Sequence, residues 1–557
     1  MSRLSSKQKD SAAWLLPVCA ALALVFLLGL YSGESFDPDF WAHLKTGEYT
    51  VQHRHIAVPD PFSYTTADAK PAYPGEAQTR YFNLTHEWLA QSAIYLVYAA
   101  GGFPAIVLVR ALWLTAAGFL TGAIAAKRTG SWWWGVAAVL ATGSVGWIFA
   151  TDRPTLVSPL FTMLFLAAFE WRRYLWALPV IALVWANCHG GFFLGWLVCG
   201  AYLVDALLQR RADVRPTAIA TAAVVLASGL NPNGFGIVTT LLRYQQSAIT
   251  ANNLEWRQAE LWGEPHGYNI LLYLCVPVLL LAWRRVRPAD WLLFVFFAAT
   301  SLKAFRNEIY IGLYAPILIA SYFPIRLRLP QVVRYAGAAA LLAAIGFGIV
   351  EGPFFQLRAA EWRYPVRAEQ FLRENHIQGR IFPTMFIAGY MVWKGHQDFF
   401  DGRSLSENVF RDYQTVVYAT PGDPARSEVL ERYGIQAIVM DAFEYYTGTI
   451  YPLVQALAAD PKMSQWKLVF ADPSAMVFLR NPPDSIPDLG RAKISDQVEE
   501  QCRMLIARDP KYPGCARSLG FIFRGRNPAR ARRMFELYFA NGGADEDARQ
   551  AMAALGP

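Results

Sequence analysis

The apolar residues of this chain are gathered into long uncharged runs, and that gathering constrains the fold more than any other feature. Trp14 to Tyr31 carries no charge and follows a short basic start at Arg3, Lys7 and Lys9. A hydrocarbon core takes about 20 apolar residues per helix, so such a run reads as a membrane anchor. A secretory signal peptide is the rival reading, but no small-residue cleavage pattern follows the run. Similar runs lie at about 103–125, 132–150, 155–170, 174–188, 191–208, 216–231, 269–283, 289–304, 308–323 and 333–350. Together they predict an all-α polytopic membrane domain of about eleven spans over residues 1–351. With 54% hydrophobic and only 17% charged residues, the chain is outside the disordered, collagenous and small disulfide-scaffold classes.

Orientation follows from the basic turns. With the N-terminus in the cytoplasm, the inner turns hold Lys127 and Arg128, Arg172 and Arg173, Arg210, Arg211 and Arg215, Arg284, Arg285 and Arg287, and Arg326, Arg328 and Arg334. The acids on that side are Asp10, Glu170, Asp205, Asp213 and Asp290. The net charge of +8 is then a consequence of topology, not a nucleic-acid footprint. An odd number of spans places the tail outside the cytoplasm. Residues 352–490 mix helix-like and strand-like stretches. Val366 to Glu374 reads as a helix, and Ile435 to Met440 and Trp466 to Leu479 read as strands, which predicts an extracytoplasmic α/β domain. Residues 491–557 are helical, with breaks at Pro510, Pro513 and Asn541-Gly542-Gly543, loosely like one tetratricopeptide hairpin. Cys19, Cys188, Cys199 and Cys275 fall in spans and read as small core residues. Cys502 and Cys515 could form a disulfide in an oxidising compartment.

The polar motifs all fall on the predicted outer face. The first outer loop, residues 33–102, holds Asp37-Pro38-Asp39 with His43 and Lys45, and later Thr85-His86-Glu87-Trp88. Thr151-Asp152-Arg153-Pro154, Asn187-Cys188-His189-Gly190-Gly191, Asn231-Pro232-Asn233-Gly234 and Lys303-Ala304-Phe305-Arg306-Asn307-Glu308 join successive spans. Arg110 sits inside the second span, near its outer end. Ionisable groups at membrane depth are costly and usually functional. Carboxylates flanked by Arg and His suit a substrate with phosphate and hydroxyl groups, where a base takes a proton and cations hold the leaving phosphate. Outside the cytoplasm no nucleotide supply exists, so the activated group must arrive on a lipid carrier.

In these motifs the chain resembles the GT-C-fold membrane glycosyltransferases, which place an acidic motif just after the first span and use polyprenyl-phosphate sugars. Residues 37–63, with Asp-Pro-Asp-x-Trp-x-His-Leu-x-Thr-Gly leading to Pro59-Asp60-Pro61-Phe62-Ser63 and then to His86-Glu87-Trp88, are similar to a group of uncharacterised bacterial GT-C-like proteins. The His189-Gly190-Gly191 and Asn231-Pro232-Asn233-Gly234 turns and Phe400-Asp401-Gly402-Arg403 extend that similarity. The tail has no Trp-Trp-Asp motif of the oligosaccharyltransferase kind. The resemblance implies a multi-pass protein of the bacterial inner membrane with a polyprenyl-phosphate sugar donor and an extracytoplasmic acceptor.

Under this reading Asp37 and Asp39, stiffened by Pro38, supply the general base. The alternatives are a turn or capping acid, or a Mg²⁺ or Mn²⁺ ion bridging both carboxylates. His43, His86, Glu87, Arg110, Arg153, His189 and Arg306 are candidates for phosphate or substrate binding. Each has a structural alternative: a satisfied helix-end histidine, a helix cap for Glu87, structural pairing of Arg110 within the membrane, or ion pairs of Arg153 and Arg306 with Asp152 and Glu308. Phe400-Asp401-Gly402-Arg403 reads as a tight turn with a salt bridge. Residues 88–98 form an amphipathic stretch expected to lie along the interface. The competing functional class is a transporter or an assembly protein for surface polymers. The lack of matching halves argues against transport.

Overall fold

The computed structural model describes residues 14–66, 69–244, 247–262, 266–323, 329–444, 446–509 and 513–555. Arg3, Lys7, Lys9, Asp10, Arg326, Arg328 and Pro510 lie outside the described residues. The chain divides into two compact units. The first comprises residues up to Asp37, Thr46–Ile56 and Phe82–Ala359; the second comprises Pro38–Lys45, Ala57–Tyr81 and Ala360 onward.

In the first unit every apolar run folds into a helix: Leu15–Tyr31, Trp88–Thr129, Trp132–Gly146, Val157–Trp171, Leu178–Cys188, Phe193–Leu208, Val214–Ser228, Gly267–Leu281, Pro288–Lys303, Glu308–Tyr322 and Gln331–Val350. Among the described residues, five helical segments are long and apolar enough to cross a membrane: Glu76–Thr129, Trp132–Phe149, Pro154–Trp171, Gly190–Leu208 and Gln331–Val350. Other apolar helices are shorter, because polar turns cut the regular backbone before the 30 Å of a hydrocarbon core is reached. The helix Trp88–Thr129 departs from helical geometry at Gly102 (φ 61°, ψ −154°), a conformation that glycine tolerates because it lacks a β-carbon. That break separates the amphipathic stretch from the apolar run after it. Past the break, this helix packs on Trp132–Gly146 through two glycines. A β-carbon on Gly122 would lie 2.7 Å from the Gly135 carbonyl oxygen, and one on Gly135 would lie 2.9 Å from the Gly122 carbonyl oxygen. Small residues let membrane helices approach this closely.

The arginines of the basic turns divide into two kinds. Arg172 is exposed. Arg128 is half-buried and bridges Glu170 (2.6 Å) and Asp290 (3.1 Å). Arg287 contacts the same two acids at 2.7 and 3.0 Å. The hydroxyls of Tyr202, Tyr314 and Tyr322 donate to these carboxylates. Two acids, two guanidiniums and three phenols thus tie five helices at one end. Basic residues there are consumed in neutralising buried acids, as charges in an apolar setting require.

The second unit is built on a four-stranded sheet, β1 (Arg380–Pro383), β2 (Ile435–Met440), β3 (Trp466–Ala471) and β4 (Met476–Arg480), in the order β1-β2-β4-β3. β1 and β2 are parallel, and β4 is antiparallel to both of its neighbours. The stretch 466–479 is therefore a hairpin, turned where Asp472 accepts from the Ser474 and Ala475 amides. One sheet face packs Ile381, Ala437, Val439, Val477 and Leu479 against Ala368, Leu372, Ile387 and Met391. The tail ends in the helices Ala492–Arg508, Gly514–Phe523, Pro528–Ala540 and Glu546–Ala553. Cys502 and Cys515 are joined by a disulfide across the first two, and Cys19, Cys188, Cys199 and Cys275 are buried free thiols.

Much of the first loop, expected to belong to the membrane domain, is part of this second unit. Its aromatic and acidic side chains find their partners there. The Trp41 ring packs edge-on against Tyr364 and Tyr390, at 5.3 and 5.2 Å between centroids. Asp60 pairs with Arg403 at 2.6 Å.

Asp441, just past the end of β2, accepts from the Thr384 hydroxyl at 2.5 Å, and burial pushes its carboxyl up to about 6 from 3.8. A carboxyl raised on folding makes the folded state bind its proton more tightly, so stability is greatest at low pH and declines as pH rises towards the folded value. Asp441→Asn should therefore raise the melting temperature of the full chain at pH 7.5 and leave it unchanged at pH 4, with an upper bound of about 3 kcal/mol. Equal shifts at both pH values would show that ionisation is not the cause.

Candidate functional site

The polar motifs of the first unit converge in two groups. The first is a set of alternating charges drawn from four loops. Asp37 follows the end of the helix Leu15–Tyr31 and is buried. Asp152 and Arg153 occupy the turn before Pro154, whose fixed φ starts the next helix. Arg153 Nε donates to both Asp37 oxygens at 2.7 and 2.8 Å, and the Asp152 amide reaches Asp37 Oδ2 at 3.3 Å. Arg153 Nη1 donates to Glu255 Oε1 at 2.8 Å. The other oxygen of Glu255 lies 3.7 Å from Arg306 Nη1.

Glu255 was not among the sequence candidates. It stands in a single 3₁₀ turn, Leu254–Trp256, capped by the Asn253 side chain, which accepts from the Glu255 amide at 2.9 Å. That turn is fastened to the turn carrying Arg306. The Phe305 amide donates to the Arg257 carbonyl at 2.8 Å, Arg257 lies over the Phe305 ring, and Arg306 lies over Trp256. Burial opposes ionisation of Glu255, but Arg153 and Arg306 outweigh it and hold its carboxyl below the usual glutamate value. The signal available in the sequence was an acid in the long polar interval between the apolar runs ending at 231 and beginning at 269.

Arg110 has a structural task. It donates to the carbonyls of Tyr31 (3.0 Å) and Gly33 (2.7 Å) and to both oxygens of Asp152 (3.2 and 3.0 Å). Ser35 also bonds Asp152. Of the two readings of Arg110, phosphate binding and structural pairing, these contacts are of the second kind. Its guanidinium is spent on pinning the chain that carries Asp37 beside the turn that carries Arg153. The alternative partners suggested for Arg153 and Arg306 are also replaced. Arg153 pairs with Asp37 and Glu255, Arg306 pairs with Glu255, and Glu308 faces His266 at 3.7 Å.

The second group gathers the histidines. His86 Nδ1 lies 2.8 Å from the Phe82 carbonyl and Nε2 lies 3.3 Å from Glu87 Oε1. His189 Nδ1 accepts from the Gly191 amide at 3.1 Å and lies 2.7 Å from Ser158 Oγ. Trp185 Nε1 donates to the same Ser158 oxygen at 2.8 Å, which leaves the hydroxyl proton for His189. With Nδ1 accepting, the neutral His189 ring carries its proton on Nε2 as a donor. The two imidazoles are 6.5 Å apart. Three loops are held together here by side chains. Trp88 Nε1 donates to Asn187 Oδ1 (2.9 Å), Asn187 Nδ2 to the Leu230 carbonyl (3.0 Å), and Asn233 Nδ2 to Thr85 Oγ1 (2.9 Å). Tyr310 neighbours both Ser158 and Arg306, so the two groups adjoin.

Asp39 and His43 belong to the second unit. Asp39 immediately precedes the helix Phe40–His53, and its carbonyl accepts from the His43 amide at 3.1 Å. Its carboxylate lies against Gly402, where a β-carbon would collide with it. The flanking turn is acidic and closed. Arg403 donates to Asp401 (2.7 Å) and Asp60 (2.6 Å), and Asp398 is fully buried beside them. Burial, followed by the neighbouring Asp401, pushes the Asp398 carboxyl well above the usual aspartate range.

Asp37 and Asp39, the pair expected to share a divalent ion, fall in different units. Both oxygens of Asp37 face Arg153, and among the described residues no group of three or more His, Cys, Asp or Glu side chains is placed to hold a metal.

No protein-family model and no curated protein sequence matches the chain. Solved structures do. The archaeal oligosaccharyltransferase AglB from Archaeoglobus fulgidus, in complex with an inhibitory peptide and a dolichol-phosphate, superposes with a TM-score of 0.52 at 11% identity, covering 85% of this chain and 75% of that one. A second structure of an Archaeoglobus fulgidus oligosaccharyltransferase, tethered to an acceptor peptide, gives 0.49 at 11% identity, covering 86% and 75%. The first match shows a shared fold, a helical membrane body with a soluble α/β part, in agreement with the GT-C-like architecture.

Removing one partner of a buried ion pair strands the other charge, at a cost of about 3–5 kcal/mol. Arg110→Leu should destabilise the protein by that amount. Adding Asp152→Asn to the same variant should recover part of the loss, measured by thermal unfolding in detergent. An identical loss in single and double variants would mean that the stranded carboxylate is not what costs stability.

Proposed function

We propose that this chain is a glycosyltransferase of the bacterial inner membrane that moves a sugar from a polyprenyl-phosphate carrier to an extracytoplasmic acceptor, whether glycolipid, polysaccharide or protein. The observation that carries this reading is the set Asp37–Arg153–Glu255–Arg306, in which separate loops bring acids and guanidiniums together beside apolar helices. The fold shared with a structure solved with a dolichol-phosphate supports it, since that ligand is a lipid-borne phosphate.

Transfer requires the acceptor oxygen or nitrogen to bond the anomeric carbon as the bond from that carbon to the phosphate oxygen breaks. Asp37 takes the acceptor proton, and Arg153 keeps its carboxylate oriented. Negative charge develops on the departing polyprenyl phosphate. Arg306 is the cation suited to receive it, because it is about one-third exposed and its contact with Glu255 is looser than a hydrogen bond. The Nε2 proton of His189 and the His86–Glu87 pair supply further polar contacts to phosphate or acceptor. Asp39, seated on Gly402, is the second carboxylate to be tested as base, with His43 one helical turn beyond it.

Purified full-length protein in nanodiscs, given radiolabelled polyprenyl-phosphate sugars and an acceptor extract from the same membrane, should transfer label. Asp37→Asn should lower kcat/KM by about 10²–10⁴ with the melting curve preserved, and Arg306→Gln should raise KM for the donor. Full activity in both Asp37→Asn and Asp39→Asn would remove the proposed base.

A further inference from the structure

We infer that Arg153 is a built-in cation, standing between Asp37 and Glu255 where a divalent metal ion would otherwise neutralise them, so that this centre holds its two carboxylates together without a metal. The inference rests on reading this centre as the transfer site only for its catalytic consequence; the electrostatic claim stands by itself.

The geometry argues it directly. One guanidinium spans both acids, through Nε to the two oxygens of Asp37 at 2.7 and 2.8 Å and through Nη1 to Glu255 at 2.8 Å. A Mg²⁺ or Mn²⁺ ion serving both carboxylates would need oxygens about 2.1 Å from a shared centre, and the planar guanidinium fills that gap. The charge count points the same way. Asp37, Asp152 and Glu255 are met by Arg110, Arg153 and Arg306, and a divalent ion brought among them would be repelled by these guanidiniums. Asp152 is not spare, because Arg110 and Ser35 occupy it. Arg153 is therefore a positioning residue. It holds Asp37 at a fixed angle and ties it to the turn that carries Glu255, a task that guanidinium geometry performs and that an ammonium performs poorly.

Deleting this cation should create an affinity that the wild-type protein lacks. Two facing carboxylates with water-filled coordination positions are enough to hold a divalent ion weakly. The test is Mn²⁺ titration of the purified full chain, followed by electron paramagnetic resonance and by thermal shift, with no sugar substrate present. The wild-type protein should take up no Mn²⁺ at this centre. Arg153→Ala should bind Mn²⁺ at least about tenfold more tightly than wild type, and Mn²⁺ should restore part of its lost melting temperature. Adding Asp37→Asn or Glu255→Gln to Arg153→Ala should abolish the gain. If Arg153→Ala is not recovered folded, Arg153→Gln keeps most of the bulk without the charge and carries the same expectation. Mn²⁺ uptake by the wild-type protein that disappears in Asp37→Asn would overturn the inference. So would a folded, charge-deleted variant with no gain in affinity. Because neither readout uses transfer, a failed glycosyltransferase assay leaves this result interpretable.

Discussion

Charges gathered at the ends of apolar helices must neutralise one another, and Arg153 is the group on which that neutralisation turns. Its side chain meets Asp37, 116 residues before it in the first loop, and Glu255, 102 residues after it. Without it, two carboxylates would face each other in poorly solvated surroundings, where like charges repel strongly. Arg110 performs the companion task for Asp152 and also holds the carbonyls of Tyr31 and Gly33. The loop backbone is thereby fixed by side chains and not by regular structure, which suits a site that has to keep several loops in register.

The opposite tactic appears at the Arg128–Glu170–Asp290–Arg287 cluster. There too charges are matched, but three tyrosine hydroxyls complete the set. Both oxygens of Asp290 and one oxygen of Glu170 thus accept from several protein groups. The Glu255 contact with Arg306, at 3.7 Å, leaves donor capacity for a ligand. Both clusters hold helices together. The second retains room for chemistry.

How much of this was legible in the sequence varies with the range of the interaction. The apolar runs read directly, because the length of an uncharged stretch is local information; each of them is a helix. The break between the amphipathic stretch and the following run appears at Gly102, and Ile435–Met440 is a strand. The grouping of His86, Glu87 and His189, and of Asp37, Arg153 and Arg306, followed from placing loops on one face. What could not be read was pairing. The partners of Arg110 could not be named, because they are carbonyls and an acid on other elements. Glu255 was overlooked because one acid in a polar interval carries no pattern until Arg153 and Arg306 converge on it. Trp41 was assigned with its neighbours in sequence, whereas its rings of contact, Tyr364 and Tyr390, lie more than 300 residues away. The fold shared with an oligosaccharyltransferase agrees with the GT-C-like architecture that the first-loop motif implied, although identity is only 11%.

The most direct test of the account is a cryo-electron microscopy map of the full chain in nanodiscs, prepared in MnCl₂ and resolved well enough to separate side chains. The account predicts continuous density from the Arg153 guanidinium to both Asp37 and Glu255, with no ion peak between the carboxylates. A metal peak bridging Asp37 and Glu255, with Arg153 turned away, would contradict it.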